Sequence, residues 1–390
     1  MEFQTNQKRQ KSKKPQLNLE AFECKLLQKI DLNTEKYADN PTQDSVQKTL
    51  NIGSAWSGIN IRSDQKPIFF YGTENGFAVK LSIEKIQSKK KQYENQNNVF
   101  KIFDYEIENK VQSESENQVC KIDDKKSNLN IQILKLYDSD YPCLQIGQFN
   151  NNNVAISTRQ QGFYQLHILN QNFERIFLVE NPFFAMQFAK SKNNIIIFKE
   201  KKSQTSFLRF GKIENNKFKY YDRQIHLLDQ VTCLYVYEDF LFIGLYNKQV
   251  SVYSIKYRRI IKNIDPQTQL SIKRIIYVPQ NKMIAVVSTS DELSFIDYIT
   301  GKVIQQYRIS DIFQQEKLDC SSSVQIFLFN FVNPEVVLIG GSFPYLFFFE
   351  WQSGKVLKKY KDQSQFVGSF IHNNLLYLTH EKVSHITILY

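Results

Sequence analysis

A four-residue apolar segment recurs seven times along this 390-residue chain at a nearly constant interval. From the start of one copy to the start of the next, the steps are 85, 41, 46, 43, 53 and 39 residues. The copies occupy residues 69–72 (FFYG), 154–157 (VAIS), 195–198 (IIIF), 241–244 (LFIG), 284–287 (IAVV), 337–340 (VLIG) and 376–379 (LYLT). Repetition at about 40–45 residues is typical of a propeller built from four-stranded blades. The sequence therefore predicts an all-β, seven-bladed propeller.

Alternation of apolar and polar residues divides each repeat into four strands, which we label a to d from the centre outwards. The clearest repeat has strand a at Val231–Tyr237, strand b at 241–246, strand c at 250–255 and strand d at 260–264. In the first repeat, residues 87–128 separate strand c from a strand d at 131–137, which explains the double step. This insertion carries eight basic and eight acidic residues, so we expect a solvated, disordered loop.

The composition agrees with a β-rich protein of the nucleus or cytoplasm. Aromatic residues, which favour strands, make up 14% of the chain. No apolar run approaches the roughly 20 residues that cross a bilayer, and the N-terminus lacks the apolar core of a secretory signal. The five cysteines are dispersed without a CxxC pair, which suits reduced thiols.

Two segments resemble the strand-c ending and the following turn of the WD-repeat family: FIDYITGKV (295–303) and FFEWQSGKV (348–356). In this register the Trp-Asp dipeptide of the family falls on Ile296-Asp297, Phe349-Glu350 and Tyr253-Ser254. The Gly-His dipeptide before strand a is absent throughout. The resemblance implies a degenerate, WD40-like propeller. We expect its blades to rely on apolar packing rather than on the buried His-Asp hydrogen-bond relay of the family.

The resemblance also implies how the ring closes. The last repeat ends at strand c, and WD-repeat propellers complete the last blade with an N-terminal strand. Phe22, Cys24, Leu26 and Ile30 alternate as such a strand, although the same stretch also reads as an amphipathic helix through Leu19. We therefore predict one propeller over residues 19–390, with a closing strand at 22–30, preceded by a disordered basic tail at 1–18.

The motifs of common enzymes and metal sites are missing from the sequence. It contains no GxGxxG, phosphate-binding loop or GxSxG segment. His380 and His385 are five residues apart in a predicted hairpin, whereas a zinc helix needs a spacing of four. The predicted a strands VTCLYVY, IKRIIYV and VQIFLFNF hold no Asp, Glu or His. We predict no catalytic residues, no metal and no cofactor, and we read His167, His226 and His372 as packed or solvated side chains.

The net charge of +11 includes two features that are candidates for binding. The first is the tail, with Lys8, Arg9, Lys11, Lys13 and Lys14, which reads either as a localisation or nucleic-acid segment or as a solubilising tail. The second lies on the d–a/b–c face, which we define as the face formed by the d–a loops and the b–c turns. There the parse places the basic residues Arg159, Lys199, Lys201, Lys202, Arg223 and Lys248. It places Asp291 and Glu292 beside them, so a positive arc would adjoin a negative one.

Three functions are open at this point. The first is a non-catalytic scaffold or adaptor, monomeric by itself, which binds protein partners of a larger complex through its loops. The second is binding of nucleic acid, an acidic protein segment or another polyanion through the positive arc and the tail. The third is binding of phosphoinositides at a membrane, because Tyr257-Arg258-Arg259-Ile260 is similar to the Phe-Arg-Arg-Gly motif of phosphoinositide-binding propellers. Here the motif lies in a predicted c–d turn and lacks the glycine, which favours a solvated turn.

Overall fold

The computed structural model describes residues 26–31, 55–62, 67–73, 77–83, 119–124, 129–135, 143–148, 153–160, 163–170, 174–181, 188–190, 195–202, 205–214, 217–319, 324–372, 375–381 and 385–389. In chain order the first strands are β1 (Leu26–Asp31), β2 (Ala55–Arg62), β3 (Pro67–Thr73), β4 (Phe77–Ile83), β5 (Val119–Asp124), β6 (Leu129–Lys135), β7 (Cys143–Gln148), β8 (Val154–Gln160), β9 (Phe163–Leu169), β10 (Arg175–Asn181), β11 (Phe188–Lys190), β12 (Ile195–Lys202), β13 (Thr205–Glu214) and β14 (Lys217–Leu227). The remaining elements are β15 (Val231–Tyr237), β16 (Phe240–Leu245), β17 (Val250–Ser254), β18 (Arg259–Ile264), β19 (Ile272–Val278), β20 (Met283–Ser288), β21 (Glu292–Asp297), β22 (Val303–Arg308), α1 (Ile309–Gln315), β23 (Ile326–Phe331), β24 (Val336–Gly341), β25 (Tyr345–Glu350), β26 (Lys355–Lys361), β27 (Gln365–His372), β28 (Leu375–Glu381) and β29 (His385–Leu389).

In the described part of the chain these strands form seven antiparallel sheets, which we number along the chain. Sheet 1 has the order β2-β3-β4-β6-β5, and sheets 2 to 6 are the consecutive quartets β7–β10, β11–β14, β15–β18, β19–β22 and β23–β26. Sheet 7 has the order β27-β28-β29-β1. Every copy of the recurrent apolar segment lies in the second strand of its sheet. The repeat interval therefore predicted strand b correctly.

Neighbouring sheets meet through their a strands. Contacts join β27 to β2, β2 to β7, β7 to β11, β11 to β15, β15 to β19 and β23 to β27. Sheets 5 and 6 share an apolar layer that includes Phe295, Phe329 and Phe347. The a strands are thus the innermost strands, as in an all-β propeller of the WD40 type.

Most of the core lies in layers between adjacent sheets. One layer fills the space between sheets 4 and 5 and includes Phe242, Ile275 and Ile284. Each such side chain contributes about 1.5–3 kcal/mol when it leaves water. Gly244 shows how tight the packing is, because a Cβ atom there would lie 2.5 Å from Cys233 Sγ and 2.9 Å from Ile272 Cγ2. Only a glycine fits between strand a of its own sheet and strand a of the next.

A β-bulge recurs in the a strands. In six of the seven, within the described residues, the register with strand b shifts near the start of the strand. The bulged residues are Trp56, Leu144, Thr232, Lys273, Phe327 and Val367. Because each bulge lies at the equivalent position, these six residues occupy equivalent places next to the d–a/b–c face.

The N-terminal segment forms a strand rather than a helix. β1 pairs antiparallel with β29, and the register sets Ile30 opposite Ile386 and Lys29 opposite Thr387. The described strand covers residues 26–31, whereas the prediction covered residues 22–30. It therefore ends one residue later than predicted. Phe22 and Cys24 lie outside the described residues, as does the tail at 1–18.

The prediction of a solvated, disordered insertion over residues 87–128 is wrong near its C-terminal end. Residues 119–124 form β5, which pairs with β6 and adds a fifth, outermost strand to sheet 1. In this register Ile122 lies opposite Ile131 and Cys120 opposite Ile133. The insertion as a whole has equal numbers of acidic and basic residues. This average concealed the short run of alternating apolar and polar residues that forms β5. Residues 84–118 lie outside the described residues, so disorder there stays a prediction.

A short helix between sheets 5 and 6 was not predicted. α1 begins directly after β22, and its buried residues are Ile309, Ile312 and Phe313. Their spacing of three and four residues places them on one face of the helix, which packs into the layer between the two sheets. The extra length of α1 accounts for the 53-residue step between the fifth and sixth apolar segments.

Candidate functional site

The predicted basic residues do not all lie where the parse placed them. Lys248 is exposed in the b–c turn of sheet 4, as predicted. Lys199, Lys201 and Lys202 lie within strand b of sheet 3, because β12 continues to residue 202 and pairs with β13 along its whole length. The reading of these three as loop residues is therefore wrong.

Arg159 and Arg223 are also strand residues. Arg159 is the last residue but one of β8, opposite Tyr164. Arg223 lies inside β14, at an irregularity where the pairing with β13 shifts. Strand d of sheet 3 is eleven residues long, so no loop intervenes at this position. Of the six basic residues of the predicted arc, only Lys248 lies in a turn, and the other five lie within strands. The role of these residues in binding stays a prediction.

The predicted negative arc is wrong, because Asp291 and Glu292 are buried. Asp291 Oδ1 accepts a hydrogen bond of 2.8 Å from the backbone N–H of Ile326, which belongs to strand a of the next sheet. Burial raises the pKa of Asp291. The hydrogen bond from Ile326 and the positive charge of Lys273 lower it and so offset part of this increase. Glu292 Oε2 accepts bonds from the Gln269 backbone N–H at 2.6 Å and from Ser290 Oγ at 3.0 Å. Both carboxyl groups fasten loops to strands instead of presenting charge to a partner.

The expectation that the blades lack a buried polar relay is wrong for sheet 7. His380, in strand b, bonds Ser364 Oγ through Nδ1 at 2.7 Å and Thr387 Oγ1 through Nε2 at 2.8 Å. Ser364 Oγ donates in turn to Asp362 Oδ1 at 3.2 Å. The serine therefore accepts from Nδ1–H, so Nε2 accepts from the threonine hydroxyl. The four residues are buried, and the relay joins the d–a loop to strands b and c.

His167 is a second buried imidazole. It lies in strand c of sheet 2, and its Nε2 is 3.4 Å from Thr158 Oγ1. Burial, with a smaller contribution from Arg175, lowers its pKa to about 3. The unfolded chain takes up a proton near the ordinary pKa of 6.5, so this group makes folding less favourable as the pH falls from about 6.5 towards 3. His380 thus holds a hydrogen-bond relay and His167 is buried beside Thr158. No cluster of metal-ligating side chains occurs among the described residues.

The d–a/b–c face of sheet 4 carries exposed apolar side chains. Leu228, in the loop before strand a, is 98% exposed, and Tyr246, in the b–c turn, is 63% exposed. Leu270, at the equivalent loop before sheet 5, is 50% exposed. We call these three residues the apolar triad. No other part of the described chain covers the exposed portions of these side chains. They are therefore available to a partner.

The loops that carry the triad are held in place by hydrogen bonds. Asp229 accepts from the backbone N–H groups of Gln230 and Asn247, which ties the d–a loop to the b–c turn. The Tyr246 N–H also donates to the Gln230 carbonyl at 2.8 Å. In the next sheet the Thr289 N–H donates to the Ser271 carbonyl, also at 2.8 Å. The triad therefore sits on a preorganised support, which lowers the entropic cost of binding.

Other exposed apolar residues have a structural explanation. Ile261, Ile304 and Leu357 are 40%, 46% and 44% exposed, and each is the bulged residue of strand d in sheets 4, 5 and 6. A bulge in an outer strand twists the open edge and hinders pairing with another chain. We call these three the rim residues, and their recurrence marks them as part of the architecture.

The opposite face, formed by the a–b and c–d turns, has an aromatic groove. It is lined by Tyr235, Tyr277, Phe331, Asn330 and Gln280 together with residues of the adjoining turns. The ring centres of Tyr277 and Tyr237 lie 5.0 Å apart. The Tyr235 side chain forms a hydrogen bond with the backbone of Tyr277. Burial raises the pKa of Tyr235 to about 12, so its hydroxyl stays protonated.

Arg258 and Arg259 are exposed on this same face, at the c–d turn of sheet 4, which is the predicted position. Arg258 has a positive φ of 57° and lies in the turn itself, while Arg259 begins β18. The residues of the basic tail, Lys8, Arg9, Lys11, Lys13 and Lys14, lie outside the described residues. Within the described ranges no helix combines the length and apolar character needed to span a bilayer.

Comparison with known proteins agrees with the architecture. The family model of the WD40 domain of anaphase-promoting complex subunit 4 matches residues 236–325, from the end of β15 to the start of sheet 6. The crystal structure of Chaetomium thermophilum Raptor is similar to this chain, with a TM-score of 0.56 and 8% sequence identity. The match covers 86% of this chain and 27% of Raptor, so the chain spans about a quarter of that protein.

No curated protein sequence matches the chain at a significant level. In contrast, 1429 solved chains are similar in structure, which shows how widely this fold is used. A fold shared so broadly hosts unrelated activities, so the likeness defines the architecture and leaves the function to be argued from the surface.

Proposed function

We propose that this chain, which belongs to the WD40-like β-propeller proteins, is a non-catalytic scaffold subunit of a nuclear or cytoplasmic protein complex. The observation that carries the proposal is the apolar triad of Leu228, Tyr246 and Leu270 on rigid loops of one face. Apolar and aromatic anchors on a preorganised surface are what a protein interface needs at its centre. The a strands of sheets 4 to 6 carry no Asp, Glu or His, which speaks against a reaction centre at the middle of the disc.

A scaffold of this kind requires a rigid ring, and we propose that the seven sheets are seven blades of one closed propeller. Contacts between a strands join the sheets from sheet 6 through sheets 7, 1, 2, 3 and 4 to sheet 5, and a shared apolar layer joins sheet 5 to sheet 6. The pairing of β1 with β29 joins the two ends of the chain within one blade. In such a ring the triad keeps a fixed spacing, which favours partners with a matching surface.

Replacement of all three triad residues by serine should abolish capture of the principal partners. The side chains make few internal contacts, so the free energy of unfolding should change by less than about 1 kcal/mol. Loss of three buried anchors should weaken the binding of a partner at least 100-fold, at about 1–2 kcal/mol for each anchor. The measurement is affinity purification of the tagged variant with quantitative mass spectrometry.

The matched control replaces the rim residues Ile261, Ile304 and Leu357 by serine. This variant also removes exposed apolar side chains, with a smaller total exposed area, at another place on sheets 4 to 6. The proposal predicts that its partners stay bound. If the triad and rim variants retain the same set of partners as the unmodified protein, the triad is not an interface.

Polyanion binding is the second candidate, because Lys248 is exposed in the same turn as Tyr246. Under this candidate, replacement of Lys248, Lys199, Lys201 and Lys202 by Glu should weaken nucleic-acid binding at least tenfold. It should also make the slope of log affinity against log salt shallower by about one for each lost phosphate contact. Fluorescence anisotropy across a salt series measures both quantities. Lys302→Glu, an exposed change on the opposite face, is the control, and an unaltered slope in the four-residue variant would refute this candidate.

A further inference from the structure

The aromatic groove lies between two hairpin turns on the face opposite to the apolar triad. One wall is the a–b turn of sheet 5, which contains Pro279 and Gln280, and the other is the a–b turn of sheet 6, which contains Asn333 and Pro334. The volume of the groove is about 180 Å³, below the roughly 300–1,000 Å³ of pockets that enclose a whole small molecule. A groove of this size fits part of a longer chain that runs across the surface.

The walls of the groove are aromatic and proline rings that the fold holds in fixed positions. The centre of the Tyr277 ring lies 5.4 Å from the centre of the Phe242 ring and 5.4 Å from that of the Tyr298 ring. The side-chain amide of Asn281 donates a hydrogen bond of 2.8 Å to the Pro334 carbonyl and so ties one wall to the other. Both walls are therefore formed before a ligand arrives, which lowers the entropic cost of binding.

The hydrogen-bonding groups of the groove favour a ligand that accepts hydrogen bonds. The Pro334 carbonyl accepts from Asn281 and also from Trp351 Nε1 at 3.0 Å, so both of its lone pairs are used. The side-chain oxygen of Asn333 likewise accepts from two backbone N–H groups near it in the chain. The side-chain amide of Gln280, in contrast, is exposed and can donate to a ligand.

The charge around the groove favours a positive group beside the apolar part of the ligand. None of the described residues that line the groove is charged. The a–b turns of sheets 4 to 6 hold three carboxyl groups, those of Glu238, Asp239 and Glu335, against one cation, Lys282. Burial raises the pKa of Tyr277 and the charge of Glu238 raises it further, which places this charge near the groove. The cations of the c–d turns on this face lie farther out, because those turns join the outer strands.

We infer that the aromatic groove binds an extended, proline-rich segment of a partner protein, with a basic residue beside the prolines. Proline has a carbonyl acceptor and no N–H donor, which matches the exposed donor and the occupied acceptors of the groove. A proline-rich segment in the polyproline II conformation docks on aromatic rings and loses little entropy on binding. The basic residue meets the negative charge of the a–b turns and the faces of the tyrosine rings. The inference does not rest on the function proposed for the apolar triad.

The test uses the full chain and a fluorescein-labelled peptide of about eight prolines followed by two arginines, with binding measured by fluorescence anisotropy. The unmodified protein should bind this peptide in a saturable way, with one site per chain. A second peptide, in which glycine and serine replace the prolines, keeps the charge and should bind at least tenfold more weakly. Equal affinity for the two peptides would show that charge alone drives binding and would overturn the inference.

Variants of the groove identify the site. Tyr277→Ser removes a ring of the groove wall and should weaken binding of the proline peptide at least tenfold. Because Tyr277 also packs against other rings, Gln280→Arg provides a second variant at an exposed position. It should fold normally, and its positive charge should repel the arginines of the peptide and weaken binding by a similar factor. Tyr246→Ser, which removes an exposed ring on the opposite face, is the matched control and should leave the affinity unchanged.

Two further results would also overturn the inference. The first is the absence of saturable binding of the proline peptide to the unmodified protein, or the same affinity in the unmodified protein and in Gln280→Arg. The second is a homodimer in analytical ultracentrifugation that Gln280→Arg dissociates, because a second copy of this chain would then occupy the groove.

Discussion

Deletion of residues 1–32 should destroy the cooperative melting of this protein, whereas deletion of 1–18 should leave it nearly unchanged. The longer deletion removes β1 and leaves β29, from His385 to Leu389, paired only with β28. With backbone hydrogen bonds contributing about 1 kcal/mol each, the loss is on the order of 4 kcal/mol, a large part of the stability of a typical domain. The exposed edge of β29 would also pair with other molecules and promote aggregation.

Differential scanning calorimetry and light scattering on the two truncated proteins measure these effects. The shorter deletion is the matched control, because it removes the basic residues of the tail and leaves β1 in place. Equal melting transitions for the two proteins would mean that β1 contributes little to stability. In that case the proposal of a ring joined at this blade would have to be abandoned.

Replacement of His380 by alanine should destabilise the protein by about 3–4 kcal/mol. The change removes a buried ring that lies 5.0 Å from the ring of Phe366, and it leaves Ser364 and Thr387 without the imidazole that bonds both hydroxyls. A buried polar group that loses its partner costs about 1–3 kcal/mol, and the cavity adds to this. Chemical denaturation monitored by tryptophan fluorescence gives the free energy of unfolding.

His226→Ala is the control for this prediction, because His226 is an exposed histidine in strand d of sheet 3. Its removal should cost less than about 1 kcal/mol, including the loss of its edge contact with Phe207. A change of less than about 0.5 kcal/mol for His380→Ala would show that the relay in sheet 7 does not stabilise the fold.

Much of the architecture followed from regularities that are local in the sequence. Strand b of every sheet was predictable because it reads as a short, continuous apolar run, and in sheets 4 to 6 this strand is buried on both faces. The strands of sheet 4 were predictable to within one residue, because alternation and turn residues mark their ends. A closing strand was predicted over residues 22–30 with a helix as the alternative, and the pairing of β1 with β29 shows a strand at 26–31.

The candidate sites were much less predictable, because charge in a sequence does not reveal burial. Asp291 and Glu292 read as surface acids, yet each is bonded to a backbone N–H group that only the packed loops bring near. Lys199 to Lys202 read as a loop because charged residues are common in turns, whereas the pairing of β12 with β13 extends the strand through them. Nothing in the local sequence distinguishes Leu228 from a buried apolar residue, and only the fold leaves it exposed.

The sequence by itself determined the repeat, the strand class and the WD40-like architecture, because period-2 patterning and the repeat interval are properties of neighbouring residues. The tertiary structure decided which polar groups are buried and which apolar groups are exposed. His380, Ser364 and Thr387 form a relay only because two strands and a loop of sheet 7 meet. Burial and partnership depend on residues that are distant in the chain, so no local pattern encodes them.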